Sequence, residues 1–363
     1  MKIGIDISQA VFGTGVSDYT IDLVHAMRSV DPTNDYVLFG ASLRRLPDLK
    51  KLFPAARLFH LPPMFLHYLW NYLHIVDVEN LIGSVDVFHS SDWVQPPSKA
   101  PAVTTVHDLS PFLYPGEMQS GAFRNIARVH SSRMNWVVRE CKKIICVSES
   151  TASELQQLFK VRSDSIVVIP EALPTRFRVH PTPHEISLVK KEYHLKKYIL
   201  AIGTPQPRKN ITRLVRSFIK YRDQYRLPDN LVIVGGYGWG ITDIPADPGV
   251  IFTGYLPDIK VASLLAGAEV FAYPSLHEGF GLPILMGFFH QVPVVTSGIS
   301  SMPEVAGNAA VLVDPKSEES IAVGLSRAVS DRKKLVPEGL QRLKNYTWSA
   351  AAGKTLMVYS WLC

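Results

Sequence analysis

The sequence predicts an α/β protein built from two doubly wound, Rossmann-like domains. Three observations predict it. Short, nearly continuous runs rich in Val and Ile alternate with amphipathic stretches along the chain, the pattern of parallel strands covered by helices on both faces. These runs fall into two series separated by a proline-rich stretch. Glycines and polar residues gather just after the strand candidates, where such sheets bind ligands.

The first series of strand candidates is Ile3–Ile7, Tyr36–Phe39, Val85–His89, Val103–Val106, Ile144–Val147 and Ile166–Ile169. The second is Tyr198–Ile202, Leu231–Val234, Val250–Phe252, Val270–Tyr273, Val294–Thr296 and Ala310–Val313. Between them, Pro170–Pro183 holds four prolines and few apolar anchors, so it reads as the linker. Residues 1–175 and 190–345 are the expected domains. From Trp348 to Trp361, Ala, Leu, Met, Val and Tyr recur at helical spacing. Residues 346–363 are therefore expected to close the chain as a helix packing back on the first domain.

Composition bounds the function. Of 363 residues, 47% are hydrophobic and 19% charged, enough apolar material for large cores and too little charge for disorder. Lys and Arg total 38 against 32 acids, a formal charge of +6. That mild excess favours anionic ligands or an acidic membrane surface. No nucleic-acid-binding signature accompanies it, so nucleic acid is excluded as a partner. Three cysteines, Cys141, Cys146 and Cys363, argue against a disulfide framework or a zinc site, and Cys146 reads as strand core. The opening Met1-Lys2-Ile3-Gly4-Ile5 reads as a strand, not a secretion signal. No apolar run is long enough to span a bilayer. The expected location is cytoplasmic, and the sequons at Asn210 and Asn345 then read as chance matches. Leu43–His74 interleaves Arg44, Arg45, Lys50, Lys51 and Arg57 with Phe53, Phe59, Phe65, Leu66, Tyr68, Leu69, Trp70 and Tyr72. Such a mixture suits peripheral contact with the inner face of an anionic membrane; a helix whose apolar face is core is the competing explanation.

Six post-strand motifs carry the candidate chemistry. Gly13-Thr14-Gly15-Val16-Ser17 leads into a helix expected from Asp18. Its glycines allow close backbone approach and the helix N–H groups favour anions, although a tight turn uses glycine equally well. Thr105-Val106-His107-Asp108 ends a strand. There His107 either donates to a sugar hydroxyl or phosphate, or is satisfied by loop backbone. Gly203-Thr204-Pro205-Gln206-Pro207-Arg208-Lys209-Asn210 sets two cations at a helix start, which opposes the macrodipole. An anion between them relieves the conflict. A diphosphate fits, with Arg208 giving forked hydrogen bonds and Lys209 a point charge.

His277-Glu278-Gly279-Phe280-Gly281-Leu282-Pro283 is the most specific motif. Pro283 suits a first helical turn, the glycines free backbone N–H groups, and Glu278 offers an acceptor for sugar hydroxyls. Thr253-Gly254-Tyr255-Leu256-Pro257-Asp258 either holds a nucleotide base or simply enters a helix. Val234-Gly235-Gly236-Tyr237-Gly238-Trp239-Gly240 suggests a dinucleotide loop but lacks the G-x-G-x-x-G spacing. No Asp-x-Asp occurs. The usual carboxylate pair for Mg²⁺ or Mn²⁺ is missing, so no metal or other cofactor is expected. Charge on a phosphate leaving group falls to Arg208, Lys209 and helix termini.

In order, the glycine-rich first loop, His107-Asp108, Val147-Ser148-Glu149, Pro207-Arg208-Lys209-Asn210, Thr253-Gly254-Tyr255, Glu278-Gly279-Phe280-Gly281-Leu282-Pro283 and Pro303-Glu304-Val305-Ala306-Gly307 resemble the family 4 glycosyltransferases. Within that family the resemblance is to mannosyltransferase-like and rhamnosyltransferase-like members acting on polysaccharides. It implies the GT-B fold, two Rossmann-like domains facing a cleft, and a GDP-, UDP- or dTDP-sugar donor held mainly by the second domain. The partner substrate would be a glycan or lipid-linked acceptor. Arg208 and Lys209 would hold the diphosphate, Glu278 the donor-sugar hydroxyls, and Gly279, Phe280, Gly281 and Leu282 would line the sugar and phosphate site. Gly13, Gly15, Thr204 and Tyr255 complete the expected donor contacts, and His107 would lie over the donor sugar. Transfer would retain anomeric configuration without a metal.

The chain departs from the family pattern at one place. A second glutamate, eight positions after the first, would bind ribose, and here that position is Met286. Either another carboxylate such as Glu304 substitutes, or catalysis is lost and the protein only binds nucleotide-sugars or glycans, or the donor carries deoxyribose. A sugar-nucleotide epimerase or phosphorylase shares the fold class, and an oxidoreductase is disfavoured for want of a dinucleotide fingerprint.

Overall fold

The computed structural model describes residues 1–114, 122–228, 230–236 and 244–363. They divide into two compact units, Met1–Pro174 with Thr347–Cys363, and Thr175–Tyr346.

Unit 1 is built on a seven-stranded sheet of β1 (Lys2–Asp6), β2 (Asp35–Ala41), β3 (Arg57–Phe59), β4 (Val87–Ser90), β5 (Ala102–Val106), β6 (Cys141–Cys146) and β7 (Ile166–Val168). The strand order is β3-β2-β1-β4-β5-β6-β7, and every pair is parallel. Order therefore reverses between β1 and β4, which puts the switch point of a doubly wound sheet at their carboxyl ends. Six strands fall on the sequence candidates. The seventh, β3, was not expected: it is three residues long, sits at the sheet edge and begins with exposed Arg57, too short and too polar for a periodic signal.

The helix Gly15–Val30 begins three residues before the expected Asp18. Thr14 and Ser17 form a reciprocal cap, each hydroxyl accepting from the other's backbone N–H at 3.3 and 3.2 Å. The closing helix Trp348–Ser360 belongs to unit 1. Its Trp348, Ala351, Ala352, Val358 and Tyr359 share a buried core with Ile3, Ile5, Leu23 and Val24. Trp348 Nε1 donates to the Leu173 carbonyl at 3.1 Å.

Unit 2 repeats the plan with β8 (Tyr198–Ile202), β9 (Asn230–Val234), β10 (Val250–Gly254), β11 (Val270–Tyr273), β12 (Val294–Ser297) and β13 (Ala310–Val313). Their order is β10-β9-β8-β11-β12-β13, parallel throughout, with the reversal between β8 and β11. All six lie on sequence candidates. The expected linker Pro170–Pro183 contains the unit boundary but is not all linker. Residues from Thr175 belong to unit 2, which includes the helix Pro183–Glu192, capped by Thr182 and Glu185. The expected second domain thus starts earlier than residue 190.

Gly235 explains part of the glycine-rich loop after β9. A Cβ there would stand 2.4 Å from the Gly203 carbonyl oxygen, so this glycine serves a close backbone approach. Tyr237–Gly240 of that motif lie outside the described residues. Among the described residues no helix is long and apolar enough to cross a membrane. Of the aromatic residues in Leu43–His74, Phe53 and Trp70 are core, while Phe65, Tyr68 and Tyr72 are exposed.

Candidate active site

In unit 2, the loops after β8 and β11, the two strands at the reversal, bring three predicted residues together. After β8 the chain makes a short 3₁₀ turn, Pro207–Lys209, and then a left-handed Asn210 before the helix Ile211–Tyr221. The buried Asn210 amide fixes that corner by donating to the carbonyls of Pro274 at 2.9 Å and Pro315 at 2.7 Å. The Leu276 N–H donates to the Arg208 carbonyl at 2.7 Å, tying the two loops to each other.

Glu278 then falls between the cations. Lys209 Nζ lies 2.7 Å from its Oε1 and Arg208 Nη1 3.3 Å from its Oε2. Lys209 also donates to the Tyr273 hydroxyl at 2.7 Å. Burial pushes the Glu278 carboxyl upward, and the charges of Lys209 and Arg208 more than offset it, holding the group below its ordinary value. Burial, with the Glu278 charge beside it, pushes the Tyr273 hydroxyl well above its ordinary value, so it stays protonated. The anion expected between the two cations is thus supplied by the protein's own carboxylate.

Backbone bonds hold the Glu278 loop. Ser300 accepts from the Glu278 N–H at 3.2 Å and donates to its carbonyl at 2.8 Å. Ser301 donates to the carbonyls of Glu278 and Phe280, both at 2.8 Å. Gly281 caps the helix Leu282–Phe289 at φ +102°, where an added Cβ would crowd Ile284 at 3.2 Å. Gly279 is buried in the same loop, Thr204 is half-buried just after β8, and Leu282 is half-buried at the start of that helix. The Phe280 ring turns away to meet Tyr346 edge-on at 5.6 Å, so it packs unit 2 and only its backbone belongs to the loop. Met286 is buried in that apolar helix. Glu304 stands on the helix Met302–Ala306, just beyond the serines that pin Glu278. Tyr255 is 79% exposed on the loop after β10 and is not gathered into the cluster.

In unit 1, His107 follows β5 and its Nδ1 lies 2.7 Å from Glu171 Oε1. The Tyr19 ring meets the imidazole edge-on at 4.5 Å. Burial pulls the imidazole pKa down, but the Glu171 hydrogen bond and charge raise it above its ordinary value overall. The proton on Nδ1 faces Glu171, and in the cationic imidazolium, which the raised pKa favours, Nε2 also carries an N–H that a substrate oxygen could accept. Gly13 (φ +70°) and Gly15 sit at the start of the helix Gly15–Val30, on either side of the capping Thr14. Sequence reasoning missed Glu171, Tyr273, Ser300 and Ser301. Glu171 lies three residues past β7, the last strand of unit 1, and carried the usable signal, a carboxylate just beyond a strand end, but it lay in the stretch read as linker. Among the described residues, no three His, Cys, Asp or Glu side chains are grouped to hold a metal ion.

Two doubly wound sheets, with a cation pair and a carboxylate at the switch point of the second, suit an enzyme that handles an anionic ligand. The profile described as Glycosyltransferase Family 4 matches residues 13–177, and that described as Glycosyl transferases group 1 matches residues 196–331. The O-antigen chain mannosyltransferase B of Escherichia coli is 32% identical over 289 residues, covering 76% of this chain and 74% of that protein. The chain belongs to this glycosyltransferase family. The O-antigen chain mannosyltransferase RfbU of Salmonella typhimurium is 24% identical over 92% of this chain and 91% of its own. In fold, the chain is similar to a sucrose-phosphate synthase from Thermosynechococcus elongatus, with TM-score 0.74, 17% identity and coverage of 100% and 99%. It is similar also to HepE of Anabaena, solved with UDP and glucose, at TM-score 0.69 and 16% identity, with both chains fully covered. The fold is GT-B.

Proposed function

We propose that this glycosyltransferase is a retaining, metal-independent mannosyltransferase of polysaccharide biosynthesis, acting on a nucleotide-sugar donor and a glycan or lipid-linked acceptor. The observation that carries it is the Arg208–Glu278–Lys209 cluster at the switch point of unit 2. Two half-buried cations already held against a buried carboxylate form a preorganised anion site. A donor diphosphate would exchange for the carboxylate, leaving Glu278 to accept hydrogen bonds from sugar hydroxyls. The mannosyl assignment follows the named relatives.

In the reaction, the bond from the anomeric carbon to the diphosphate oxygen breaks. An acceptor hydroxyl oxygen bonds to that carbon on the same face, and its proton passes to the departing phosphate. No protein nucleophile is required. Arg208 and Lys209 meet the charge growing on the leaving group, the role a metal plays elsewhere. His107 in unit 1 is assigned to donate from Nε2 to a substrate hydroxyl or phosphate.

The test is product formation from GDP-, UDP- and dTDP-hexoses, with and without EDTA. Losing a preorganised donor costs about 2.7–4 kcal/mol of barrier. Arg208→Ala with Lys209→Ala should therefore abolish transfer while near-UV circular dichroism stays unchanged, and wild-type activity should survive chelation. Normal turnover in the folded double variant, or strict dependence on added Mg²⁺ or Mn²⁺, would overturn the reading.

A further inference from the structure

This inference rests on the proposed reading of Arg208, Lys209 and Glu278 as the donor site, and it assigns a part to the residue they are built on. Tyr273 is the last residue of β11 and is only 3% exposed. The Thr296 hydroxyl donates to its carbonyl at 2.9 Å, which fixes the strand end from β12. Phe271 lies on the same face of the strand, two residues back, and the two rings stack at 6.2 Å. A phenylalanine suits this layer, so apolar packing does not ask for the hydroxyl. A buried phenol costs free energy unless its oxygen is hydrogen-bonded.

The partners of that hydroxyl are the donor-site groups themselves. Lys209 Nζ donates to it at 2.7 Å, and to Glu278 Oε1 at the same distance. An ammonium has donors only, so the phenol oxygen accepts there, and its own proton faces the Glu278 carboxylate. Burial, with the Glu278 charge beside it, keeps that proton in place.

The two partners of Lys209 therefore differ in kind. Glu278 holds the ammonium and cancels its charge. Tyr273 holds it and leaves the charge whole. When a diphosphate displaces Glu278, a lysine partnered by the carboxylate alone would swing on a flexible four-carbon stem. A neutral acceptor at a fixed strand end keeps the nitrogen in place and takes no charge from the phosphate.

We propose that Tyr273 is a positioning residue for transfer, its hydroxyl anchoring Lys209 at the leaving-group oxygens while Glu278 is exchanged for the donor diphosphate. It bonds no substrate atom and acts through Lys209. With the hydroxyl gone, Lys209 turns wholly to Glu278, and the carboxylate competes harder with the diphosphate. The loss then depends on the Glu278 charge.

The test is a double-variant cycle on the full chain, read by calorimetric titration of GDP, UDP and dTDP. Tyr273→Phe should weaken binding of the nucleoside diphosphate that wild type prefers by about three- to ten-fold, the range of one hydrogen bond, and lower kcat by at least as much. In the Glu278→Gln background the same substitution should change that affinity by less than about two-fold, because no charged competitor remains. A hydroxyl that merely stabilises the sheet would act equally in both backgrounds. Equal effects, or unchanged affinity and kcat in Tyr273→Phe, would overturn the proposal. A second measurement keeps the hydroxyl. With 3-fluorotyrosine placed at position 273 alone, the fluorine resonance should move on saturation with the diphosphate, as Lys209 changes partners, and an unmoved resonance would overturn the proposal too. Failure of wild type to bind any nucleoside diphosphate would instead strike the reading of the donor site, in a titration that involves no variant.

Discussion

Glu278 lies between Arg208 and Lys209, and on the function proposed above that gives it two opposite effects. Its carboxylate neutralises Lys209 and Arg208, so it competes with phosphate; in the donor complex it is assigned to sugar hydroxyls. Glu278→Gln should separate these effects. Nucleoside diphosphate should bind as tightly or more tightly by calorimetry, because the internal competitor has lost its charge. Transfer should fall, since a hydrogen bond involving a charged group contributes about 1.5–3 kcal/mol. Weaker diphosphate binding with unchanged kcat would contradict both halves. Glu278 also ties stability to acid: its pKa is held below the ordinary value of 4.5, so the ion pair contributes above that pH and is lost as pH falls further. His107 has the opposite sign. Its pKa is raised above 6.5, so its pairing with Glu171 stabilises fully below pH 6.5 and is lost as pH rises through the folded value. Glu171→Gln leaves burial to dominate and should move the alkaline limb of kcat to lower pH. The melting-temperature gap between wild type and variant should also narrow as pH rises. An unmoved alkaline limb would remove Glu171 from any positioning role.

At the scale of elements, the helix Leu282–Phe289 shows how far sequence reading reached. The twelve strand candidates were legible because parallel strands buried on both faces are continuously apolar, and periodicity and turn chemistry do not depend on distant residues. The edge strand β3 was not, since its hydrogen bonds come from β2 and not from its own pattern. The loops bearing Arg208, Lys209 and Glu278 were legible because glycines and charges at strand ends have few structural uses. Their mutual pairing was not, because 69 residues separate Lys209 from Glu278 and nothing local signals the contact. Met286 was legible as a departure, and the structure adds that it is buried in a helix with Ile284, Leu285 and Phe288. The element has therefore been made apolar as a whole, and Met286→Glu has two consequences. A carboxylate at this buried position is desolvated, which without a partner costs more than the roughly 1–3 kcal/mol of a neutral polar group. If a ribose diol binds beside it, the donor repays that cost. The variant should melt lower without ligand and shift its preference from dTDP- toward UDP- or GDP-sugars. A wild-type preference for ribose donors that Met286→Glu leaves unchanged would assign the ribose elsewhere, with Glu304→Gln as the next substitution to measure.

At the scale of the whole molecule, unit 1 is made from both ends of the chain and unit 2 from its middle. Each has its own core: Ile3, Val24 and Tyr359 belong to one buried cluster, Ile199, Phe218 and Ile321 to another. The last helix therefore matters to a unit whose strands were completed long before it in sequence. Trp348 fills the core beside Tyr19, with ring centroids 5.7 Å apart. Tyr359 is fully buried, its hydroxyl 2.5 Å from His89 Nδ1. His89 is itself buried and its Nε2 meets Thr105 at 3.0 Å, one strand residue from Val106 and two from His107. Removing one large buried aromatic side chain costs about 3–5 kcal/mol, and native domains hold only about 5–15 kcal/mol in total. Ending the chain after Tyr346 removes two such side chains and the apolar face between them, so unit 1 should not stay folded. Unit 2 keeps all of its own residues, including Arg208, Lys209 and Glu278. Calorimetry of the truncated chain should lose the unfolding enthalpy of unit 1, near-UV circular dichroism should weaken, and transfer should vanish, while nucleoside diphosphate still binds. Full enthalpy after truncation would show that the helix only decorates unit 1. Loss of nucleotide binding as well would show that the two cores depend on each other to fold.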